Sequence, residues 1–153
     1  MSSREALMAE VGKDAAAWQT AVQRFDELAA TSMNLHVTDL QIIGLLVDVE
    51  SMPAGQLAEA AGLSPGAATA AIDRLEKAGY VQRARTGTDR RRVMVRLTAR
   101  SRRLVQQIWG PIVQDGMAKL QGYTLKELTL LRDFTKWCLE LQLKHIDRLA
   151  NER

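Results

Sequence analysis

Hydrophobic and polar residues follow a helical period over most of this chain. In residues 2–30 the apolar side chains recur at steps of three, four or seven positions, which predicts a helix with one buried face. Ser2 and Glu5 have the spacing of a capping box at its start. After the polar stretch 31–34, Thr38 is expected to cap a second helix. The predicted buried face of that helix consists of Leu40, Ile43, Leu46 and Val47.

Two short helices separated by a tight turn are predicted next. Pro53 is expected in the first turn of a third helix, which ends at Gly62. Ser64 then caps a fourth helix, which is expected to run to about residue 78 and to stop at Gly79. The inner face of the fourth helix is made of small and branched residues: Ala68, Ala71, Ile72 and Leu75.

The period then changes to alternation, which predicts two strands at 80–85 and 91–97 with a turn at 86–89. A fifth helix is predicted from Thr98, with a kink or break at the Gly110–Pro111 pair. The capping box of Thr124 and Glu127 opens a last helix, which is expected to reach about residue 149. Its apolar band is too wide for one contact, which favours packing against a second chain.

Charge is distributed unevenly along a chain of otherwise ordinary composition. Hydrophobic residues make up 46% and charged residues 25% of the 153 positions, which is typical of a globular protein. The net charge is +3, yet residues 83–103 hold nine arginines and one acid, a local charge of +8 that leaves −5 elsewhere. This asymmetry favours a polyanionic partner over a merely solvated face.

Several classes of protein are not expected. The sequence has no apolar run of membrane-spanning length and no secretory signal, so we predict a cytoplasmic protein without membrane contact. Cys138 is the single cysteine, and the chain has two histidines, so no intrachain disulfide, metal site or other cofactor is predicted. We find no phosphate-binding loop, dinucleotide glycine motif or catalytic triad signature. An enzyme is therefore not predicted.

The third and fourth helices have the spacing of a helix-turn-helix. Ala58 supplies a small residue where the two helices cross, and Gly62 lies four positions later, in the turn. The positions that must be apolar for this packing are Leu57, Ala61, Leu63, Ala68 and Ala71. An ordinary structural helix pair is the competing interpretation. The arginines at the hairpin tip favour DNA, because arginine suits insertion into a narrow minor groove.

The segment 56–98 resembles the winged helix-turn-helix core of MarR-family transcriptional regulators. The run Asp89–Thr98 is similar to the wing signature of that family, and Asp73–Gly79 is similar to the end of its recognition helix. The resemblance implies a mainly α fold with a small β-hairpin wing. It also implies dimerisation helices at 1–34 and 99–153 around a DNA-binding region at 35–98. A family glycine shortly after the Leu-Thr pair is replaced here by Ser101 or a neighbour.

The resemblance also implies a function and a set of DNA-contacting residues. We expect a homodimeric, sequence-specific repressor that binds pseudo-palindromic double-stranded DNA and is released by a small aromatic or anionic effector. The expected contacts are Ser64, Gly66, Ala67, Thr69, Ala70 and Arg74 on the recognition helix, and Arg90, Arg91 and Arg92 on the wing, with Asp89 orienting the wing arginines. The small side chains of the recognition helix cannot make bidentate base contacts. Much of the specificity is therefore expected from the wing and from DNA shape.

Three further hypotheses remain open at the level of sequence. An effector cleft between the first, second and fifth helices is predicted from Trp18, Met33, His36 and Trp109, although core packing is the default interpretation of the tryptophans. Cys138 is interpreted as a buried inert thiol, and the alternative is a redox-sensing regulator. The alternative to DNA binding itself is a winged-helix module for protein interaction, which would lack a steep salt dependence on DNA.

Overall fold

The computed structural model describes residues 2–85 and 93–152. Within these residues the elements are α1 (Ser3–Ser32), α2 (Val37–Leu45), β1 (Met52–Pro53), α3 (Ala54–Ala60), α4 (Pro65–Lys77), β2 (Val81–Arg85), β3 (Val93–Leu97), α5 (Ala99–Leu120) and α6 (Leu125–Asn151). The chain divides into two compact units, Met1–Ile108 and Trp109–Arg153. The predicted mainly α fold with a small antiparallel sheet is confirmed.

Side-chain caps fix the starts of four helices where the sequence placed them. The capping residues are Ser2, Ser64, Thr98 and Thr124. Each hydroxyl accepts a hydrogen bond from the backbone N–H three residues further on, which satisfies a donor that the helix itself leaves unpaired. The boxes with Glu5 and Glu127 are reciprocal, as predicted.

The start of α2 differs from the prediction. His36 is the N-cap and has an extended backbone, so Thr38 lies at the second helical position and does not cap the helix. Asn34, with a φ of 55°, makes the turn that follows α1. Only two residues therefore separate this turn from α2, and the helix begins one residue before Thr38.

Pro53 is also placed differently from the prediction. It is the N-cap of α3 and, together with Met52, forms the short strand β1. This strand pairs antiparallel with β3, with Met52 opposite Val95. The sheet order is β1-β3-β2, so Pro53 lies on an edge strand, where a missing N–H is tolerated. A strand of two residues has no periodicity, so the sequence pattern gave no sign of it.

The hairpin of β2 and β3 is confirmed, with Val81 opposite Leu97 and Arg83 opposite Val95. Val95 and Leu97 are buried while Arg96 is exposed, as the alternation predicted. Of the two outcomes expected at Gly110–Pro111, the break is wrong, because α5 continues through Pro111, and the kink stays a prediction. A proline removes a single intrahelical hydrogen bond, and the bonds on either side of it can continue the helix.

The core lies within the winged helix-turn-helix. Fully buried apolar side chains come from α2, α3, α4 and the hairpin: Ile42, Ile43, Leu46, Leu57, Ile72, Leu75, Val81 and Val95. In contrast, α1 buries only Ala29 and Ala30, and α6 buries none of its residues. Of the described helices, none is both long enough and apolar enough to cross a membrane.

Candidate nucleic-acid interface

The α3–α4 pair has the geometry that its spacing predicts. Gly62 adopts a φ of 64°, which glycine reaches without steric cost. Around the turn, the N–H of Leu63 donates to the carbonyl of Ala58 at 2.9 Å. Leu57, Ala58, Ala68 and Ala71 are buried, and Ala61 and Leu63 are half-buried. The buried residues on both helices leave the outer face of α4 in solvent.

All six residues of α4 and its cap that were predicted to contact DNA are exposed: Ser64, Gly66, Ala67, Thr69, Ala70 and Arg74. Two of the hydroxyls already have partners inside the helix. Ser64 accepts from the N–H of Ala67 at 3.3 Å, and Thr69 donates to the carbonyl of Pro65 at 2.8 Å. The N-terminal half of α4 therefore presents mainly methyl groups and backbone to a partner.

Arg74 is held by a buried carboxylate on another helix. Its Nε donates to Oδ2 of Asp39 at 3.2 Å, and its Nη2 donates to Oδ1 at 2.6 Å. The Asp39 side chain is 2% exposed, whereas that of Arg74 is 47% exposed. The hydrogen bonds to Asp39 raise the pKa of the Arg74 guanidinium above its usual value. Arg74 was predicted from the sequence, but Asp39 was not, since it lies 35 residues earlier.

Arg83 joins the hairpin stem to α4. Its guanidinium donates to the carboxylates of Asp73 and Glu76, and its backbone N–H donates to Oε1 of Glu76 at 3.0 Å. The bond from this backbone N–H is the largest cause that lowers the pKa of Glu76. Burial acts to lower the pKa of Arg83, but its bonds to Asp73 and Glu76 outweigh burial and raise it. The stem of the wing is thus fixed against the recognition helix.

Two more of the nine clustered arginines have partners inside the protein. Arg102 donates from Nη1 to the carbonyl of Val47 at 3.2 Å and from Nη2 to that of Val49 at 3.0 Å. The Arg100 guanidinium lies 5.9 Å from the centroid of the Tyr80 ring, within the range of a cation–π interaction. Sequence reasoning counted these side chains only as local charge. In the structure, part of that positive charge is held in contacts within the protein itself.

The wing-tip residues Asp89, Arg90, Arg91 and Arg92 lie outside the described residues. Their predicted roles in DNA contact therefore stay predictions. The described hairpin on either side of them, Val81–Arg85 and Val93–Leu97, is anchored to α4 through Arg83.

The residues predicted to line an effector cleft have different environments. Trp18 is 67% exposed on α1, and Met33 at the end of that helix is 5% exposed. His36 is exposed at the start of α2. Trp109 is half-buried and belongs to the second unit. In the first unit, a shallow cavity of about 160 Å³ is lined by Val47, Leu97, Arg102, Val105 and Gln106.

Among the residues described, no three histidine, cysteine, aspartate or glutamate side chains are grouped so that they could hold a metal ion.

Comparisons with known proteins agree with this geometry. A sequence model of the MarR family matches residues 33–92. The chain is similar to YcgE of Bacillus subtilis (strain 168), an uncharacterized HTH-type transcriptional regulator, with 35% identity over 125 residues, 82% of this chain and 81% of YcgE. YfiV of the same organism, another uncharacterized HTH-type transcriptional regulator, is 29% identical over 77 residues, about half of each chain.

Solved structures share the fold at lower identity. The crystal structure of NadR in complex with 4-hydroxyphenylacetate superposes with a TM-score of 0.62 at 24% identity, covering 84% of this chain and 91% of NadR. Wild-type MarR from E. coli in its apo form gives a TM-score of 0.59 at 21% identity, covering 84% of this chain and 96% of MarR.

Proposed function

The chain belongs to the MarR family of transcriptional regulators, and from this premise we propose that it is a homodimeric repressor. In this proposal it binds pseudo-palindromic duplex DNA in the cytoplasm and is released by a small aromatic or anionic effector. The observation that carries the proposal is the exposed outer face of α4, whose inner face packs in the core. Arg83 joins this helix to the hairpin stem. It acts as a regulator and not as an enzyme.

We assign the two DNA-contacting elements different tasks. The N-terminal half of α4 enters the major groove, where helix-turn-helix proteins contact base edges. Its exposed residues Gly66, Ala67 and Ala70 suit contact with thymine methyl groups. Arg90, Arg91 and Arg92 enter the minor groove, and Asp89 holds a neighbouring guanidinium in one orientation. Specificity then depends largely on groove width and on the deformability of the site.

A second copy of the chain is the proposed cover for the apolar side chains of the outer helices. Large apolar residues of α1 are exposed, including Leu7 at 61% and Trp18 at 67%. On α6 the same is true of Leu130 at 69% and Trp137 at 54%. Exposed apolar surface of this extent marks an interaction site. We therefore assign 1–34 and 99–153 to dimerisation around a DNA-binding region at 35–98.

The proposed effector is an aromatic carboxylate or a similar small molecule. The NadR structure was solved in complex with 4-hydroxyphenylacetate, and our proposal extends that ligand class to this chain. Trp18, Met33 and His36 of the first unit are the proposed lining residues. A tryptophan and a methionine suit an aromatic ring, while the His36 imidazole suits a polar or anionic group.

Binding to duplex DNA over a range of salt concentrations tests this function. We expect the purified protein to bind random-sequence duplex at low salt and to lose affinity steeply as salt rises, because each phosphate contact releases counterions. Arg91→Ala should weaken binding by roughly 1–3 kcal/mol and reduce the slope of log affinity against log salt by about one. Arg24→Ala removes an equally cationic side chain from α1, 68% exposed, and should change neither quantity.

The alternative function, a protein-interaction module, predicts a different outcome. We expect such a module not to bind duplex DNA at low salt. Any residual DNA binding should lack a steep slope of log affinity against log salt. Absence of both binding and slope in the wild-type protein would therefore overturn the DNA-binding proposal as a whole.

A further inference from the structure

We propose that Asp39 is a positioning residue, which holds the Arg74 guanidinium so that its remaining N–H groups contact a DNA phosphate. The inference rests on the proposed DNA-binding function. It adds a residue from α2, outside the recognition helix and the wing, to the groups that determine DNA affinity.

The geometry of the pair determines which donors are left for DNA. A guanidinium carries five N–H groups in one plane. Asp39 receives one hydrogen from Nε and one from Nη2, which is the side-on edge of the group. The end-on edge, formed by Nη1 and the second hydrogen of Nη2, points away from the carboxylate. The Arg74 side chain is 47% exposed, which leaves room at this edge for an acceptor with two oxygens, such as a phosphate.

The position of Arg74 along α4 favours a phosphate over a base. The N-terminal residues of a recognition helix contact base edges, whereas Arg74 lies in the last turn of α4 together with Lys77. Lys77 is exposed as well, so the C-terminal end of the helix presents two cations. Arginine and lysine side chains at such positions neutralise phosphates and fix the register of the protein on the duplex.

The uneven burial of the pair indicates what Asp39 contributes. Asp39 is 2% exposed, and a carboxylate removed from water needs a charged or hydrogen-bonding partner. Its position in the first turn of α2 also places it near the positive end of that helix. The carboxylate is thus fixed in one orientation, and it fixes the guanidinium in turn. An arginine ordered before binding loses less conformational entropy when it docks.

Simple electrostatics predicts the opposite effect on DNA affinity. Asp39 carries a negative charge close to the proposed phosphate contact, so its removal would strengthen binding if charge alone mattered. Positioning predicts that its removal weakens binding. The neutral variant Asp39→Asn therefore separates the two effects by the sign of the change.

The test uses the full-length protein and a short duplex that the wild type selects from a random-sequence pool. We expect Arg74→Gln to weaken binding roughly tenfold and to reduce the salt slope by about one. We expect Asp39→Asn to weaken binding severalfold, with an unchanged salt slope, since Arg74 keeps its charge. In the double variant Asp39 has nothing left to orient, so its affinity should equal that of Arg74→Gln. Arg24→Gln on α1 is the control for loss of one positive charge and should bind as the wild type does.

Several outcomes would overturn the inference. Equal or tighter binding by Asp39→Asn, or an unchanged salt slope in Arg74→Gln, shows that the pair only joins α2 to α4. Circular dichroism melting establishes that each variant is folded under the binding conditions. If Asp39→Asn does not fold, Arg74→Lys decides the question: it keeps the charge but lacks the planar fork, so wild-type affinity in Arg74→Lys contradicts the inference. Failure of the proposed function itself is distinct, because the wild type would then bind no duplex at all.

Discussion

Tyr80 donates its hydroxyl hydrogen to the backbone carbonyl of Met33 at 2.8 Å, and both residues are buried. Met33 follows the last turn of α1, while Tyr80 lies between α4 and the hairpin. The bond therefore joins segments 47 residues apart. The Arg100 guanidinium of α5 lies 5.9 Å from the centroid of the Tyr80 ring, within cation–π distance. One aromatic side chain thus links α1, α5 and the wing stem.

Tyr80→Phe should lower the free energy of unfolding by about 1–3 kcal/mol, because it leaves the buried Met33 carbonyl without this donor. Chemical denaturation with circular dichroism measures the change. Tyr123→Phe is the matched control, since Tyr123 is half-buried at the turn after α5. A loss in Tyr80→Phe no larger than that in Tyr123→Phe would mean that the hydroxyl bond contributes little to stability.

Ser101 should be replaceable by alanine with a gain in stability. Its side chain is fully buried in the first turn of α5, and its hydroxyl has no hydrogen-bond partner among the described residues. Ser101→Ala keeps the Cβ and removes the unsatisfied group, so we expect the free energy of unfolding to rise by about 1 kcal/mol.

Ser64→Ala is the control for Ser101→Ala, because the same substitution should have the opposite effect on stability there. The Ser64 hydroxyl caps α4 through the N–H of Ala67, and Ser64→Ala should lower the free energy of unfolding by about 1 kcal/mol. Thermal melting of both variants measures the two effects. If Ser101→Ala destabilises the protein as much as Ser64→Ala does, the Ser101 hydroxyl has a partner in solution.

The clamp between Glu76 and Arg83 should make stability depend on pH. The pKa of Glu76 is lowered in the folded protein, first by the backbone N–H of Arg83. A carboxylate with a lowered folded pKa stabilises the fold at neutral pH, and this contribution is lost as the pH falls through that pKa. Since the Glu76 side chain is 39% exposed, the contribution should stay below about 1 kcal/mol.

Glu76→Gln should therefore be less stable than the wild type at neutral pH, and the difference should shrink in acid. Denaturation curves from about pH 7 to pH 3 measure it. Glu59→Gln removes the same charge at an exposed position of α3 and is the control. A difference between wild type and Glu76→Gln that stays constant over this range would show that the effect is steric and not electrostatic.

The sequence predicted helix boundaries better than it predicted contacts between elements. The starts at Ser64 and Thr124 depend on a side chain and a backbone N–H three residues apart, so the local sequence contains the whole interaction. The bonds from Arg74 to Asp39 and from Tyr80 to Met33 span 35 and 47 residues. No periodicity joins such positions. For the same reason, the position of Arg74 on α4 was predictable and its partner was not.

Cys138 should have no role in regulation by peroxide. It is the single cysteine of the chain and is half-buried in α6, so a second thiol for an intrachain disulfide is absent from the sequence. Cys138→Ser should bind DNA as the wild type does, before and after peroxide treatment. A wild type that releases DNA under peroxide, together with a Cys138→Ser variant that retains it, would establish the redox alternative.

The apolar side of α6 should bind a second copy of the chain. Leu130 and Trp137 are seven positions apart, so they lie on one side of the helix, and they are 69% and 54% exposed. Burial of one tryptophan at about 25 cal/mol per Å² is worth several kcal/mol. In a symmetric dimer each substitution acts twice. Trp137→Glu should therefore raise the dimer dissociation constant by at least about 100-fold, which sedimentation equilibrium measures.

Lys136→Glu changes an exposed charge at the neighbouring position, 73% exposed, and should have a much smaller effect. A wild-type protein that sediments as a folded monomer at micromolar concentration would show that these side chains do not form a dimer interface.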